Sequence, residues 1–267
     1  MTVTAKTSQA ARRSSLLAPL ELIFGVYAIL LFLFLGLCAL LVLLVVPGVQ
    51  RRRRIARAAA RAFLRLAAMP VTVTCDERLP ATQCVIVSNH ASYLDGIVFT
   101  AVLPARFGFV IKREMNGVPL AGLLLRKLGS EFVERFNRSR SAADARRVLR
   151  NVSNGNSLVF FPEGTFTKTP GLLKFHTGAF AMAVRAGCPV VPAVIRGTRR
   201  ALSPLGGLPR AGRIEVTILP PLLPSSHSSD PAVELRDRAR DAILGELGEP
   251  DLTCSGDIVR PPGTALG

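Results

Sequence analysis

Val85-Ile86-Val87-Ser88-Asn89-His90-Ala91-Ser92-Tyr93-Leu94-Asp95 is an apolar run that passes straight into a polar turn and then into a second apolar stretch. Cys84–Ser88 has no charged residue on either alternate set, as a strand buried on both faces requires. Leu94–Val102 behind it is expected to be a helix. In open α/β sheets ligands bind beyond the carboxyl ends of strands, so the turn between these two elements is a candidate site.

The same alternation extends outward from this segment. Further strands are expected at Val71–Cys75, Phe107–Ile111, Ser157–Phe161, Val190–Ile195 and Ile214–Leu219. Further helices are expected near Pro119–Leu128, Ala142–Asn154, Gly178–Ala186 and Ala232–Leu247. Strands and helices in turn imply an α/β domain built on a central sheet. Gly206-Gly207 and the Pro/Ser-rich stretch Pro220–Pro231 read as loops. Three segments follow: an N-terminal part over 1–70, the α/β domain over 71–247, and an aperiodic tail over 248–267 that is expected to be loose.

The N-terminal part is different in kind. Leu22–Val46 carries no charge, and as a helix rising about 1.5 Å per residue it is long enough for a hydrocarbon core roughly 30 Å thick. One tilted crossing and a shallow hairpin bent near Gly36 both fit. Arg51-Arg52-Arg53-Arg54, Arg57, Arg61 and Arg65 follow and outweigh Lys6, Arg12 and Arg13 on the near side. This asymmetry puts the remainder of the chain on the cytoplasmic side of a cell membrane. Ile55, Ala59, Ala62, Phe63 and Leu66 recur at helical spacing among the arginines, the pattern of a basic amphipathic helix lying on a bilayer surface.

Composition limits the function classes. The net charge of +16 calls for an anionic partner, and residues 1–70 hold ten of the Lys and Arg against the single acid Glu21. With no Trp and only two Tyr there is no aromatic platform for bases, which disfavours nucleic acid. Cys38, Cys75, Cys84, Cys188 and Cys254 are scattered, odd in number and never spaced C-x-x-C, so no metal site or disulfide framework is indicated and a reducing compartment fits best.

Four strings carry the chemistry. In the first, His90 precedes Asp95 by five positions, so a bent connection can bring the carboxylate to one imidazole nitrogen and leave the other as a general base. No serine offers an equally plain protein nucleophile, so the attacking hydroxyl is expected to come from the substrate. The second, Ser157-Leu158-Val159-Phe160-Phe161-Pro162-Glu163-Gly164-Thr165-Phe166, is again a buried strand ending in a turn, with Glu163 placed to accept a hydrogen bond from a polyol. The third runs from Ile111-Lys112-Arg113-Glu114 through Pro119 and Gly122 to Glu134-Arg135, and its arginines could hold a phosphate bidentately. The fourth is Val191-Pro192-Ala193-Val194-Ile195-Arg196-Gly197-Thr198, a buried strand with a basic end.

Together these strings resemble the glycerolipid acyltransferase family, which includes the 1-acylglycerol-3-phosphate acyltransferases; the resemblance covers about residues 71–220. It implies a mostly parallel sheet flanked by helices, with an N-terminal helical element in the membrane. It implies transfer of a fatty acyl chain from acyl-CoA or acyl-carrier protein to the hydroxyl of a lysophospholipid acceptor at a bilayer, without metal or prosthetic group. His90 is then the base and Asp95 its partner. Arg135, Glu163, Gly164 and Thr165 belong to the acceptor site, and Asn89, Ser92 and Lys112 are further candidate substrate contacts. Many close relatives carry Arg directly after Glu-Gly-Thr, where this chain has Phe166 and, two positions on, Lys168. That departure opens an alternative acceptor, a lysophospholipid with a larger head group or a lyso-aminolipid. A non-catalytic protein binding anionic lipid through its arginines is the alternative from another class, and it gives His90 no role.

Overall fold

The computed structural model describes residues 3–134, 138–204, 207–225 and 228–253. The elements, in chain order, are α1 (Val3–Val45), α2 (Val49–Leu66), β1 (Val71–Thr74), β2 (Val85–Ser88), α3 (Leu94–Val102), β3 (Phe107–Lys112), α4 (Ala121–Lys127), β4 (Glu131–Val133), α5 (Arg138–Ser153), β5 (Ser157–Phe160), α6 (Gly178–Ala186), β6 (Val190–Arg196), α7 (Thr198–Ala201), β7 (Ile214–Ile218) and α8 (Pro231–Leu247).

The strands form one sheet in the order β1-β7-β6-β2-β5-β3-β4. From β6 to β4 all neighbours are parallel. β7 runs antiparallel to β6 and carries β1 parallel to itself at the edge. The mostly parallel sheet is therefore present, with β2 at its centre and successive connections leaving to either side of it.

Burial on both faces explains the continuous apolar runs. Ile86, Val159, Val191 and Ile195 point into a core shared with Phe63 and Leu64 of α2 and Val98 and Phe99 of α3. Their neighbours Val85, Val87, Leu158 and Val194 point the other way, toward Val148 of α5, Phe180 of α6 and Leu235 and Ile243 of α8. Adjacent residues of one strand thus feed opposite helical layers. Two short elements, β4 and α7, were not expected. Three and four residues are too few to show a period, and β4 is held from outside: Arg147 donates to the Phe132 carbonyl at 2.6 Å and to Glu131 Oε2 at 2.9 Å.

α1 passes Gly36 without a break, so of the two expected arrangements the bend near Gly36 is not the one formed. The chain reverses instead at Val46-Pro47-Gly48, and α2 returns along α1. Phe32 meets Phe63 edge-on with centroids 5.4 Å apart, and the Tyr27 hydroxyl donates to the Leu66 carbonyl at 3.3 Å. Ala28 and parts of Phe24, Leu31 and Leu35 join the core, while Ile23, Leu30, Leu33, Phe34 and Leu41 stay exposed. The segment Pro19–Val45 is long and apolar enough to cross a membrane.

The surface-helix expectation for α2 is corrected in its apolar stripe. The face packed on α1 and α3 inside the protein is Ala56, Ala60, Phe63 and Leu64. Of the expected stripe only Phe63 is buried; Ile55, Ala59 and Ala62 are half-buried, and Leu66 is exposed. Three of its arginines also turn inward. Arg57 donates to the carbonyls of Ala101 and Val102, Arg61 to Ala101, and Arg53 to Leu128, Gly129 and Arg106. The Ala101 and Val102 carbonyls end α3 and those of Leu128 and Gly129 follow α4, where no intrahelical donor remains, so the arginines close two helix C-termini, and Arg53 also ties down the loop before β3 at Arg106. Gly108 makes room for this: a Cβ there would lie 2.7 Å from Arg53 Nη2.

Candidate active site

β2, β5 and β6 are parallel neighbours, so the turns that follow them emerge on one edge of the sheet. The turn after β2 folds back on itself. Asp95 sits in the first turn of α3, where the helix dipole favours a carboxylate. Its Oδ2 accepts the main-chain N–H of Ala91 at 2.7 Å and of Ser92 at 2.9 Å, and lies 2.7 Å from His90 Nδ1. Oδ1 is buried without a partner, so three donors converge on one oxygen of a fully buried carboxylate. With Nδ1–H donating to Asp95, Nε2 is the acceptor nitrogen of the imidazole.

Aromatic rings fix the plane of His90. Phe161, just past β5, stacks on it with centroids 4.3 Å apart at 18°. Phe166 meets its edge at 4.6 Å and 86°, and also meets the exposed Tyr93 at 4.8 Å.

Glu163 follows Phe161 by two residues and reaches across to the first turn. Its Oε1 accepts the His90 main-chain N–H at 2.6 Å, and its Oε2 accepts the Leu173 N–H at 2.9 Å. Burial pushes its carboxyl up to about 7. The N–H groups of Leu173 and His90 and the Arg199 guanidinium pull it down, and Asp95 pushes it up. Gly164 supplies the positive φ of 76° at this turn, Thr165 is exposed, and Lys112 is exposed at the end of β3 on the same edge.

Several sequence-based contacts take different jobs. Asn89 is 3% exposed; its amide nitrogen donates to the Ile195 carbonyl at 2.9 Å, and its oxygen accepts the Ile195 N–H at 2.8 Å. Ser92 is fully buried, donating to the Leu202 carbonyl at 2.8 Å and accepting from Leu94 N–H at 3.3 Å. Both side chains brace the turn between β2 and α3 against β6 and α7; neither presents a free polar atom to a substrate. Glu163, expected to bond a polyol, spends its oxygens on the main chain. Arg113 is committed to Asp144, with Nη2 at 2.6 Å from both carboxylate oxygens. Arg135 lies outside the described residues, as does His227.

The segment from Pro162 to Phe175, here called the strap, is fastened by residues that sequence reasoning missed. Arg199 of α7 donates to the carbonyls of Thr167 at 2.5 Å and Thr169 at 3.2 Å. Glu249 accepts the Gly171 N–H at 2.6 Å. Arg240 of α8 donates to the carbonyls of Leu172 and Leu173 at 3.1 Å each, and pairs with both oxygens of Asp251 at 2.5 and 3.0 Å. Leu172 and Asp251 form a parallel bridge. Residues 249–253 were expected to belong to a loose tail and instead hold the strap; 254–267 lie outside the described residues. The only local hint was the basic end of the fourth string, which stops one residue before Arg199.

Comparisons with known proteins agree with this arrangement. The acyltransferase family model matches residues 70–196, which include both turns. The 1-acyl-sn-glycerol-3-phosphate acyltransferase of Saccharomyces cerevisiae is 29% identical over 68% of this chain and 61% of its own length. The 1-acyl-sn-glycerol-3-phosphate acyltransferase alpha of Mus musculus is 32% identical over 73% of this chain and 70% of its own. The crystal structure of the 1-acyl-sn-glycerophosphate acyltransferase PlsC from Thermotoga maritima superposes with a TM-score of 0.68 at 24% identity, covering 85% of this chain and 93% of that one, a likeness of fold. Matches to curated relatives span from 49% to 75% of those proteins' own lengths.

Proposed function

The chain belongs to the glycerolipid acyltransferase family, and from that premise we propose that it transfers a fatty acyl chain from a thioester to the free hydroxyl of 1-acylglycerol-3-phosphate, in phospholipid synthesis. The observation that carries the reading is the His90–Asp95 pair at 2.7 Å, placed at the carboxyl end of the central strand.

The chemistry follows from that pair. A lipid hydroxyl is a poor nucleophile at neutral pH, and its proton must leave as the new carbon–oxygen bond forms. Nε2 of His90 takes the proton while the oxygen attacks the thioester carbonyl. Asp95 holds the ring in the required tautomer and stabilises the imidazolium. Collapse of the tetrahedral intermediate breaks the carbon–sulfur bond, and the proton on Nε2 passes to the departing thiolate. The donor, acyl-CoA or acyl-carrier protein, is a co-substrate, and this route assigns no resident metal or prosthetic group.

The acceptor is amphipathic, and the reading places the protein at a bilayer. The exposed apolar side of α1 is its membrane contact, and the Arg51–Arg54 cluster sets the catalytic domain on the cytoplasmic side of the cell membrane. A second acceptor reading is favoured by one observation: Phe166, directly after Glu163-Gly164-Thr165, packs against His90. It points to a lysolipid whose head group is larger than phosphate.

The test uses the full chain in vesicles with acyl-CoA or acyl-carrier protein, 1-acylglycerol-3-phosphate and other lysolipids, with products read by mass. The diacyl product should form with wild type and vanish with His90→Ala at matched protein levels. Activity of His90→Ala within a few-fold of wild type overturns the base assignment.

A further inference from the structure

Glu163 is one of the few charged residues in the core, 5% exposed, and the mechanism above does not use it. Its surroundings say what it does. One oxygen takes the main-chain N–H of the base itself, and the other takes the N–H of Leu173, ten residues further along the strap. Leu173 is held in turn at its carbonyl by Arg240, and Arg240 is clamped by Asp251. A continuous series of hydrogen bonds therefore runs from the catalytic histidine through the strap to the C-terminal segment.

We infer that Glu163 is a positioning residue rather than an acceptor contact, locking the His90 main chain to the strap, and that Arg240 with Asp251 anchors the far end of the same series. The inference rests on the acyl-transfer reading for its consequence and on geometry for the linkage. Both carboxylate oxygens are already engaged by main-chain donors, and burial leaves no face for a polyol. The charged side chains that act on the carboxylate are Arg199 from α7 and Asp95 from the turn after β2, while His90 meets it through its main-chain N–H. Arg199 is itself committed to the carbonyls of Thr167 and Thr169, so it fastens the strap from the same side.

Two arms test this on the full-length chain. The first needs no turnover: the amide resonances of His90 and Leu173, in micelles, should shift together with pH about a common midpoint near 7, and the shift should disappear from both in Glu163→Gln. Independent titration, or persistence in Glu163→Gln, overturns the linkage. The second arm is kinetic. Gln offers a single acceptor oxygen, so one of the two N–H bonds is lost and the base shifts. Glu163→Gln should lower kcat about 10- to 100-fold and leave the acceptor KM within about threefold, because misplacement of a reacting group acts on the chemical step. Asp251→Asn keeps the shape of the clamp without its charge, and should lower kcat about three- to tenfold at unchanged acceptor KM. A tenfold rise in acceptor KM with unchanged kcat in Glu163→Gln makes it an acceptor contact and overturns the inference. Wild-type kcat in Asp251→Asn removes the C-terminal anchor from it. Wild type that shows the joint titration but no acyl transfer contradicts the functional reading and leaves the linkage standing.

Discussion

The base turn and the strap meet at His90, yet they are held in opposite ways. From Ser88 to Asp95 the bonds that orient the imidazole are local, since Asp95 gathers its donors from residues three to five positions back, while Asn89, Ser92 and the His90 N–H tie the turn to β6, α7 and Glu163. The strap depends on distant parts of the chain, with partners 30 to 78 positions away in Arg199, Arg240 and Glu249. The local His90–Asp95 pairing is set by the turn's own residues, whatever holds the turn to its neighbours. A strap fastened at a distance owes its shape to the whole fold, and is where a remote substitution can reach the chemistry.

The largest effect should come from the centre of the local scaffold. In Asp95→Asn the amide oxygen can occupy the place of Oδ2 and keep all three donors, since Oδ1 has no partner to lose. What disappears is the charge that stabilises the imidazolium. We expect kcat to fall by about 10²- to 10³-fold, less than the roughly 10⁴-fold seen for the equivalent change in a serine protease, because here the tautomer survives. Melting temperature and kcat measured together decide it; a collapse of the fold would mean that the carboxylate is chiefly structural.

Asn89 tests the brace assignment. Asn89→Ala removes both hydrogen bonds to Ile195 and strands a buried N–H and a buried carbonyl. Each stranded group costs about 1–3 kcal/mol, so a loss of roughly 2–6 kcal/mol in unfolding free energy is expected. Acceptor KM should move little in the protein that remains folded. A marked rise in KM with unaltered denaturation would return Asn89 to the substrate side.

The same contrast explains how much was legible in the sequence. The apolar strands were readable because burial on both faces leaves an unbroken apolar run, and Leu94–Val102 and Gly178–Ala186 were read to the residue. The His90–Asp95 pairing was readable because five positions suffice to make it. The partners of Asn89 and Ser92 were not legible, because polar residues in such a turn look alike whether they face a substrate or a neighbouring strand. Only the position of β6 tells them apart. Nothing near Arg240 in sequence refers to Leu173 or Asp251, and the inward turn of Arg53, Arg57 and Arg61 depends on where α3 and α4 end. The reversal at Pro47-Gly48 was missed because the apolar run of α1 gives no sign of how α2 returns along it.

A smaller effect is expected where the strap meets the C-terminal segment. Gly171 has φ 141°, and a Cβ there would lie 2.5 Å from Leu252 Cγ. Gly171→Ala should push residues 249–253 off the strap and loosen the Glu249 and Asp251 contacts together. We expect kcat to fall about tenfold, by way of a displaced base, with the melting temperature lowered by a few degrees for roughly 1 kcal/mol. Limited proteolysis after α8 should become faster in the same variant. Unchanged kcat would show that strap and base move independently.

The smallest expected effect concerns Phe166, where the two regions touch side chain to side chain. The ring meets the edges of His90 and Tyr93 at 4.6 and 4.8 Å, contacts worth about 0.5–1.5 kcal/mol each beyond the area they bury. Phe166→Arg removes both and places a guanidinium beside the base. If the acceptor carries a bare phosphate monoester, a charge-assisted hydrogen bond to it should lower the acceptor KM for 1-acylglycerol-3-phosphate about three- to tenfold, within the roughly 1.5–3 kcal/mol of such bonds and offset by the side-chain ordering it requires. kcat should drop about two- to fivefold, since His90 loses one of the two rings that fix its plane. Steady-state kinetics with two acceptors, one bearing phosphate alone and one bearing a larger zwitterionic head group, separates the readings. A fall in KM confined to the phosphate acceptor supports 1-acylglycerol-3-phosphate as the substrate. A rise in KM for both, greatest for the larger head group, means that Phe166 packs against the acceptor, and assigns the chain to a lysolipid with the larger head.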